Sequence, residues 1–413
     1  MITEEHALRT ADAWLNTAGA IRREVRHREF DLGWVVWAAP AAPERDPVTG
    51  ERRPPADLGE GCGVVDRATG KLSVWSSVPV DEVIEAYRER LRPVVGPGNR
   101  LVATYLDGAG QEGRVELVSA PGLAPVELRL PAELSRLGVP AAAVRSVHTA
   151  LRPATLPGGY PAAVLEREFP DAVHSCDHPY GISAAERAEG VAALTASLRP
   201  QPRPNRRPAP EPDAVVPAEP VRDVALGRRL PGVLGEVLRF DADDPLRAGL
   251  PSDTCATLTW AGLPMEVPLL FTADRTDPPP AGGLFADLRT ALTAAGSTLD
   301  PQVLDVLAGW NRIGSDGLCV IAVQREGQEA GSVWAVHPRT GSGRFVNSSL
   351  SGYLRSQLLV AEARAAMVGL DPIAAGTAVA GLQESLVAVD PAVFRAESAW
   401  WSVLVEQLWH GLL

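Results

Sequence analysis

Lysine is almost missing from this chain: of its 39 basic residues only Lys71 is a lysine, and the rest are arginine. With abundant Ala, Gly and Pro, that bias points to a GC-rich genome of the actinobacterial sort. Positive charge is also short overall, because 51 acidic residues leave a formal charge of −12. A non-specific nucleic-acid binder needs a basic surface to replace condensed counterions, so that class is excluded and no direct nucleic-acid partner is expected. The four cysteines, Cys62, Cys176, Cys255 and Cys319, form no CxxC pair, which argues against a disulfide framework or a structural zinc knot. No run of about 18 apolar residues occurs, so no membrane-spanning helix and no membrane partner are expected. The acidic start, Met1-Ile2-Thr3-Glu4-Glu5, lacks a secretory pattern, and the expected location is the cytoplasm. No G-x-S-x-G elbow and no phosphate-cradling G-x-x-x-x-G-K-[ST] loop is found, and no fixed-period repeat.

What is present is ample core material. Apolar residues make up 46% of 413 positions, enough for two or three domains. The stretch from Leu198 to Val221 carries Pro200, Pro202, Pro204, Pro208, Pro210, Pro212, Pro217 and Pro220. Such a segment favours extended polyproline geometry and is expected to be a semi-rigid linker over 199–221. A softer break lies at Pro93, Gly96, Pro97 and Gly98. The expected units are therefore 1–96, 97–198 and 222–413, and the expected class is α+β, with a mixed α/β pattern in the middle.

The first unit opens with a helix capped by Thr3, with Ala7, Ala11, Trp14 and Leu15 on one face. Gly33 to Trp37 is a strand, Gly63 to Asp66 and Lys71 to Trp75 a hairpin turning on Gly70, and Asp81 starts a closing helix. Through Phe30-Asp31-Leu32-Gly33-Trp34-Val35-Val36-Trp37, the Gly61 to Gly70 segment and the helix ending in Tyr87, the unit resembles the YrhB-type immunity family of polymorphic toxin systems.

In the last unit, Leu318 to Val323, Ser332 to Val336 and Arg344 to Asn347 read as strands, with a turn at Pro338 to Gly341. Ser348 or Ser349 caps a helix with Leu350, Tyr353, Leu354 and Leu358 on one side. With Thr254, Leu258-Thr259, Gly262-Leu263-Pro264, Ile313 to Gly317 and Phe345 to Leu350, these residues resemble the SUKH superfamily, best its fourth immunity family. The resemblance implies an α+β domain that binds a partner, often a toxin, and turns nothing over.

The middle unit carries a different resemblance. Val147 to Pro161, with its Pro157-Gly158-Gly159-Tyr160 string, then Phe169-Pro170-Asp171 and Ala185 to Leu194, looks like the deaminases of polymorphic toxins. That likeness implies cysteine ligands for zinc where this chain has Ala154 and Pro161, and a proton-shuttling Glu near Ala150. All three are absent, so the unit is expected to be a degenerate deaminase with no zinc, no other cofactor and no catalytic residues. A rival enzyme reading places a divergent zinc site on His148, His174, Cys176 and His178. Three same-face ligands at steps of about 7 Å converge poorly on one ion.

Other strings have bland readings. Gly108-Ala109-Gly110-Gln111-Glu112-Gly113 follows a strand but precedes another strand, so it is expected to be a hairpin loop and not a dinucleotide fingerprint. Asp241, Asp243 and Asp244 fit a solvated turn. The closing helix holds Trp400, Trp401 and Trp409, which suit a core or an interface anchor. The partner-binding candidates are Asp316, Trp334 and Arg339, expected to share a groove, with Trp400 and Trp401 in second place. The partner expected is a cognate toxin protein, blocked by occlusion. A scaffold spanning two clients is the third reading.

Overall fold

The computed structural model describes residues 2–17, 22–39, 49, 61–200 and 203–413. It forms two compact units that meet in sequence at Arg92 and Pro93.

In the first unit the order is α1 (Glu4–Leu15), β1 (Val25–Phe30), β2 (Gly33–Ala38), β3 (Cys62–Asp66), β4 (Leu72–Trp75) and α2 (Val80–Leu91). The four strands are antiparallel in chain order. Thr3 caps α1 by accepting the His6 N–H. The two-residue period of a strand explains why the Gly-Trp-Val-Val-Trp run is apolar throughout. Trp34 and Val36 meet Ala7 and Ala11 of α1, whereas Val35 meets Val83, Ile84 and Tyr87 of α2. The Asp66-Arg67-x-Thr69-Gly70 turn is held by Asp66, which accepts from the Thr69 N–H at 2.7 Å and from the Tyr87 hydroxyl at 2.8 Å.

The second unit begins with β5 (Arg100–Leu106), β6 (Glu112–Val118), α3 (Val126–Arg136), β7 (Val144–Leu151), α4 (Pro161–Glu168), β8 (Val173–His178) and α5 (Ala184–Ser197). The sheet order is β6-β5-β7-β8, antiparallel except for β7 and β8, which α4 connects in parallel. Leu106 pairs with Glu112, so the G-x-G-x-x-G string is a hairpin loop.

The chain continues through α6 (Asp223–Leu234), β9 (Val237–Leu238), α7 (Asp243–Arg247), α8 (Ser252–Trp260), β10 (Leu263–Pro264), β11 (Glu266–Val267), β12 (Phe271–Ala273), α9 (Leu288–Ala294) and α10 (Pro301–Leu307). It ends with β13 (Trp310–Ser315), β14 (Val320–Gln324), β15 (Val333–Val336), β16 (Gly343–Asn347), α11 (Leu350–Met367), α12 (Pro372–Val389) and α13 (Trp400–Trp409). Strands β11 to β16 form one antiparallel meander. Ile321, Val323, Val333, Ala335 and Val346 face the main core with α11 to α13, and Ala322, Trp334 and Val336 face Leu288, Leu292 and Leu307 of α9 and α10.

The middle and last segments thus share one body. The proline-rich stretch, of which Pro202 lies outside the described residues, is tied along that body. Asn205 exchanges both backbone hydrogen bonds with Val94, at 3.0 and 2.9 Å, and the Ala218 N–H donates to the Ala388 carbonyl at 2.7 Å.

One helix, α12, has the length and composition of a membrane span, with a mean hydropathy of 1.3. Thr377, Gln383, Glu384 and Ser385 interrupt its apolar run in the sequence. Ala375, Val379, Leu382, Leu386 and Val387 are buried in the main core, which accounts for its composition.

Candidate functional site

Three of the five partner candidates lie inside the protein. Asp316 follows β13 and is 4% exposed. Its Oδ2 accepts from the Tyr160 hydroxyl at 2.8 Å and from Trp400 Nε1 at 2.9 Å, and its Oδ1 from the Cys319 N–H at 2.8 Å. Burial raises the Asp316 pKa against those donors. Trp400 and Trp401 are fully buried, edge to face at 4.7 Å, and Trp401 Nε1 donates to Asn347 Oδ1 at 2.8 Å. They cannot meet a partner in this arrangement, because α13 is wedged between the last domain's core and the deaminase-like region, and of its ten residues only Ser402 escapes burial.

Trp334 and Arg339 do reach the surface, and Trp334 lies on the face of the sheet that packs against α9 and α10. Trp334 is half-buried, packs edge to face on Phe345 at 5.6 Å and lies 5.2 Å beneath the Arg395 guanidinium. Arg339 is exposed in the turn between β15 and β16. The groove expected around Asp316, Trp334 and Arg339 therefore does not form, because the sheet lies between Asp316 and Trp334.

Sequence reasoning missed the seam that α13 makes with the deaminase-like region. Arg187 of α5, 1% exposed, donates through Nη2 and Nε to Glu406 Oε2 at 2.5 and 3.1 Å. The Tyr180 hydroxyl pairs with His410 Nδ1 at 2.9 Å, and Gln407 Nε2 donates to the Pro157 carbonyl at 2.6 Å. Val403 and Leu412 join Leu151, Leu156, Tyr180, Val191 and Leu194 in one apolar cluster. Burial and the nearby Arg206 and Arg187 guanidinium groups push the His410 pKa down to about 3.

Beside this seam lies a small, partly open pocket of about 10 Å³ lined by Asn99, Pro125, Glu127, Ala154, Pro161, Gln407 and Leu412, with the exposed Arg152 at its edge. That is about the room of one water. The two positions where the deaminase likeness implies thiolates, Ala154 and Pro161, do come together here, and a carboxylate joins them. It is Glu127 in the first turn of α3, not a residue near Ala150. Its Oε1 accepts from Asn99 Nδ2 at 2.9 Å, and Asn99 also brackets the Leu151 backbone at 2.8 and 3.2 Å. Burial raises the Glu127 pKa to about 7. The signal for it was in the sequence: Glu127, Leu130 and Leu134 share the inward stripe of α3.

A zinc ion does not fit this donor set, since a methyl group and a proline ring offer no ligand. The alternative cluster does not converge either. His148 Nδ1 lies 2.9 Å from Ser175 Oγ and its Nε2 lies 3.2 Å from Asp177, whereas His174 bonds the Phe169 carbonyl. Cys176 and His178 sit half-buried farther along β8. Among the described residues no group of three or more His, Cys, Asp or Glu could hold a metal ion.

Comparison with known families divides the chain in three. Residues 5–95 match the Immunity protein 35-like domain, residues 96–197 the Xanthomonas-like deaminase, and residues 217–407 the SUKH-4 immunity protein. Searches of curated proteins and of solved structures each return no match.

Proposed function

From a chain that joins an Immunity protein 35-like domain and a SUKH-4 immunity protein domain to a deaminase-like region, we propose a toxin-neutralising protein that works by occlusion and catalyses nothing. The observation that carries this reading is the seam just described. Gln407 and Leu412, from α13 and the tail after it, line the small pocket of the deaminase-like region, with a buried Arg187–Glu406 pair and the Tyr180–His410 bond holding them there.

In this reading the partner is a cognate toxin of a polymorphic toxin system, met in the cytoplasm without membrane or nucleic acid. The boundaries proposed for the working units are 1–96, 97–198, 199–221 and 222–413. Because α13 is already covered, the contact surface for the toxin is placed on the other side of the last sheet, around Trp334 and Arg339. The chain's negative charge speeds encounter with a basic toxin and makes the on-rate salt-dependent.

Affinity capture of the tagged full chain from its host at moderate salt tests this, followed by the mass of the purified complex. A toxin held in one-to-one stoichiometry, with a footprint that includes Arg339, is the expected result. A chain that holds no toxin and instead deaminates a free nucleoside or single-stranded nucleic acid overturns the proposal.

A further inference from the structure

A second and larger cavity, of about 170 Å³, opens where the 390–399 loop, α12, α13 and the proline-rich segment meet. Its wall includes Phe394, Glu397, Ser402, Gln383, Glu406 and Arg206. That volume is well below the ~300 Å³ at which pockets for drug-sized ligands begin. That is the size of one long side chain.

The charges lining it are unequal. Glu406 is already neutralised through Oε2 by the buried Arg187. Its Oε1 meets Arg206 at 3.3 Å, and the Arg206 side chain is 45% exposed. Arg206 is thus a surplus counter-ion that can swing into solvent without uncovering a bare buried charge. Glu397 at the rim is exposed and makes no ion pair or hydrogen bond among the described residues. Phe394 supplies an aromatic wall on which a cation can rest. The loop that carries Phe394 also touches the surface proposed for the toxin. Arg395, the residue after Phe394, lies 3.6 Å from the Phe345 ring centroid and 5.2 Å from that of Trp334.

We infer that this cavity is a socket for a lysine or arginine side chain of the partner protein, which replaces Arg206 on Glu406 and pairs with Glu397. The inference rests on the reading of the chain as a binder of a basic partner and adds the anchor of that contact. The alternative is a solvent-filled crevice in which Arg206 is the permanent partner of Glu406.

The test uses the full chain and N-acetyl-arginine amide, whose only charge is its side chain, with N-acetyl-glutamine amide as the neutral control. Binding is followed by calorimetry and located by a crystal soak. The arginine probe should bind in the cavity and the control should not. Glu397→Gln, an exposed change that leaves packing untouched, should weaken the probe about fivefold, the worth of one exposed ion pair. Arg206→Ala should tighten it by a similar factor, because the competing cation is gone; a solvent-filled crevice predicts no such gain. No binding, or binding indifferent to both variants, overturns the socket, even if the chain captures a toxin. Binding in the expected pattern by a chain that captures no toxin supports the socket and instead overturns the partner reading.

Discussion

Glu127 and His410 are buried in the same body and titrate in opposite senses, so together they conceal a pH dependence that either one alone would show. The Glu127 pKa is raised from 4.5 to about 7. Between those values the folded state keeps a proton that the unfolded chain has released, so stability falls as pH rises. At about 1.4 kcal/mol per pH unit the loss across the window is roughly 3 kcal/mol. His410 is lowered from 6.5 to about 3, with Tyr180 bonded to it and Arg187 and Arg206 near it. Below pH 6.5 the unfolded chain takes up a proton that the folded state refuses, so stability falls as pH drops, by roughly 5 kcal/mol across that window. The two slopes cancel between pH 4.5 and 6.5. Urea unfolding of wild type, Glu127→Gln and His410→Asn across pH 4.5 to 7.5 separates them. The stability of Glu127→Gln relative to wild type should rise by about 3 kcal/mol from pH 4.5 to 7. That of His410→Asn should rise as pH falls below 6.5. A Glu127→Gln difference that stays flat with pH would mean that the carboxylate titrates as it does in the unfolded chain, and the reasoning from its burial would be refuted.

Other consequences follow from the same seam. Arg187→Met leaves Glu406 with the half-exposed Arg206 as its counter-ion and should cost about 1.5–3 kcal/mol, whereas Arg187→Met combined with Glu406→Leu should recover most of that loss, as read by hydrogen exchange in α5 and α13. Tyr160→Phe removes a buried hydrogen bond to Asp316 and should lower stability by about 1.5–3 kcal/mol in urea unfolding. A Cβ at Gly190 would sit 1.9 Å from the Pro179 carbonyl oxygen, so Gly190→Ala should force α5 away from the end of β8 and cost about 1–3 kcal/mol or more, visible as a lower melting temperature.

Much of the fold was legible wherever apolar period and turn chemistry coincide. The Thr3 cap, the hairpin around Gly70 and the β14 to β16 meander lie where the sequence places them, because alternation and a glycine with φ near +69° at Gly70 leave few alternatives. The proline-rich stretch was harder. Its composition reads as a linker, but such a segment can also dock, and the partners that hold it, Val94 and Ala388, are more than 100 residues away from Asn205 and Ala218 in the chain. The site was the least legible part. Trp400 and Trp401 carry the same apolar signal whether a helix faces solvent with one side or is covered on both. Asp316 in its Gly314-Ser315-Asp316-Gly317 string looks like a solvated turn, yet Tyr160 and Trp400 close over it from elements 156 and 84 residues away. Glu127 could have been found from its place on an apolar stripe, but its companions Ala154 and Pro161 come from the other side of the sheet connection, and only the folded chain assembles them.

The central claim, neutralisation by covering rather than by turnover, is tested most directly by growth rescue. Host cells express the captured toxin with either the wild-type chain or Glu127→Gln. The account predicts rescue that tracks the molar ratio of chain to toxin and is equal for both versions, with a stable complex recovered from rescued cells. No rescue at excess chain, or rescue at substoichiometric chain that disappears with Glu127→Gln and leaves no complex, would contradict it.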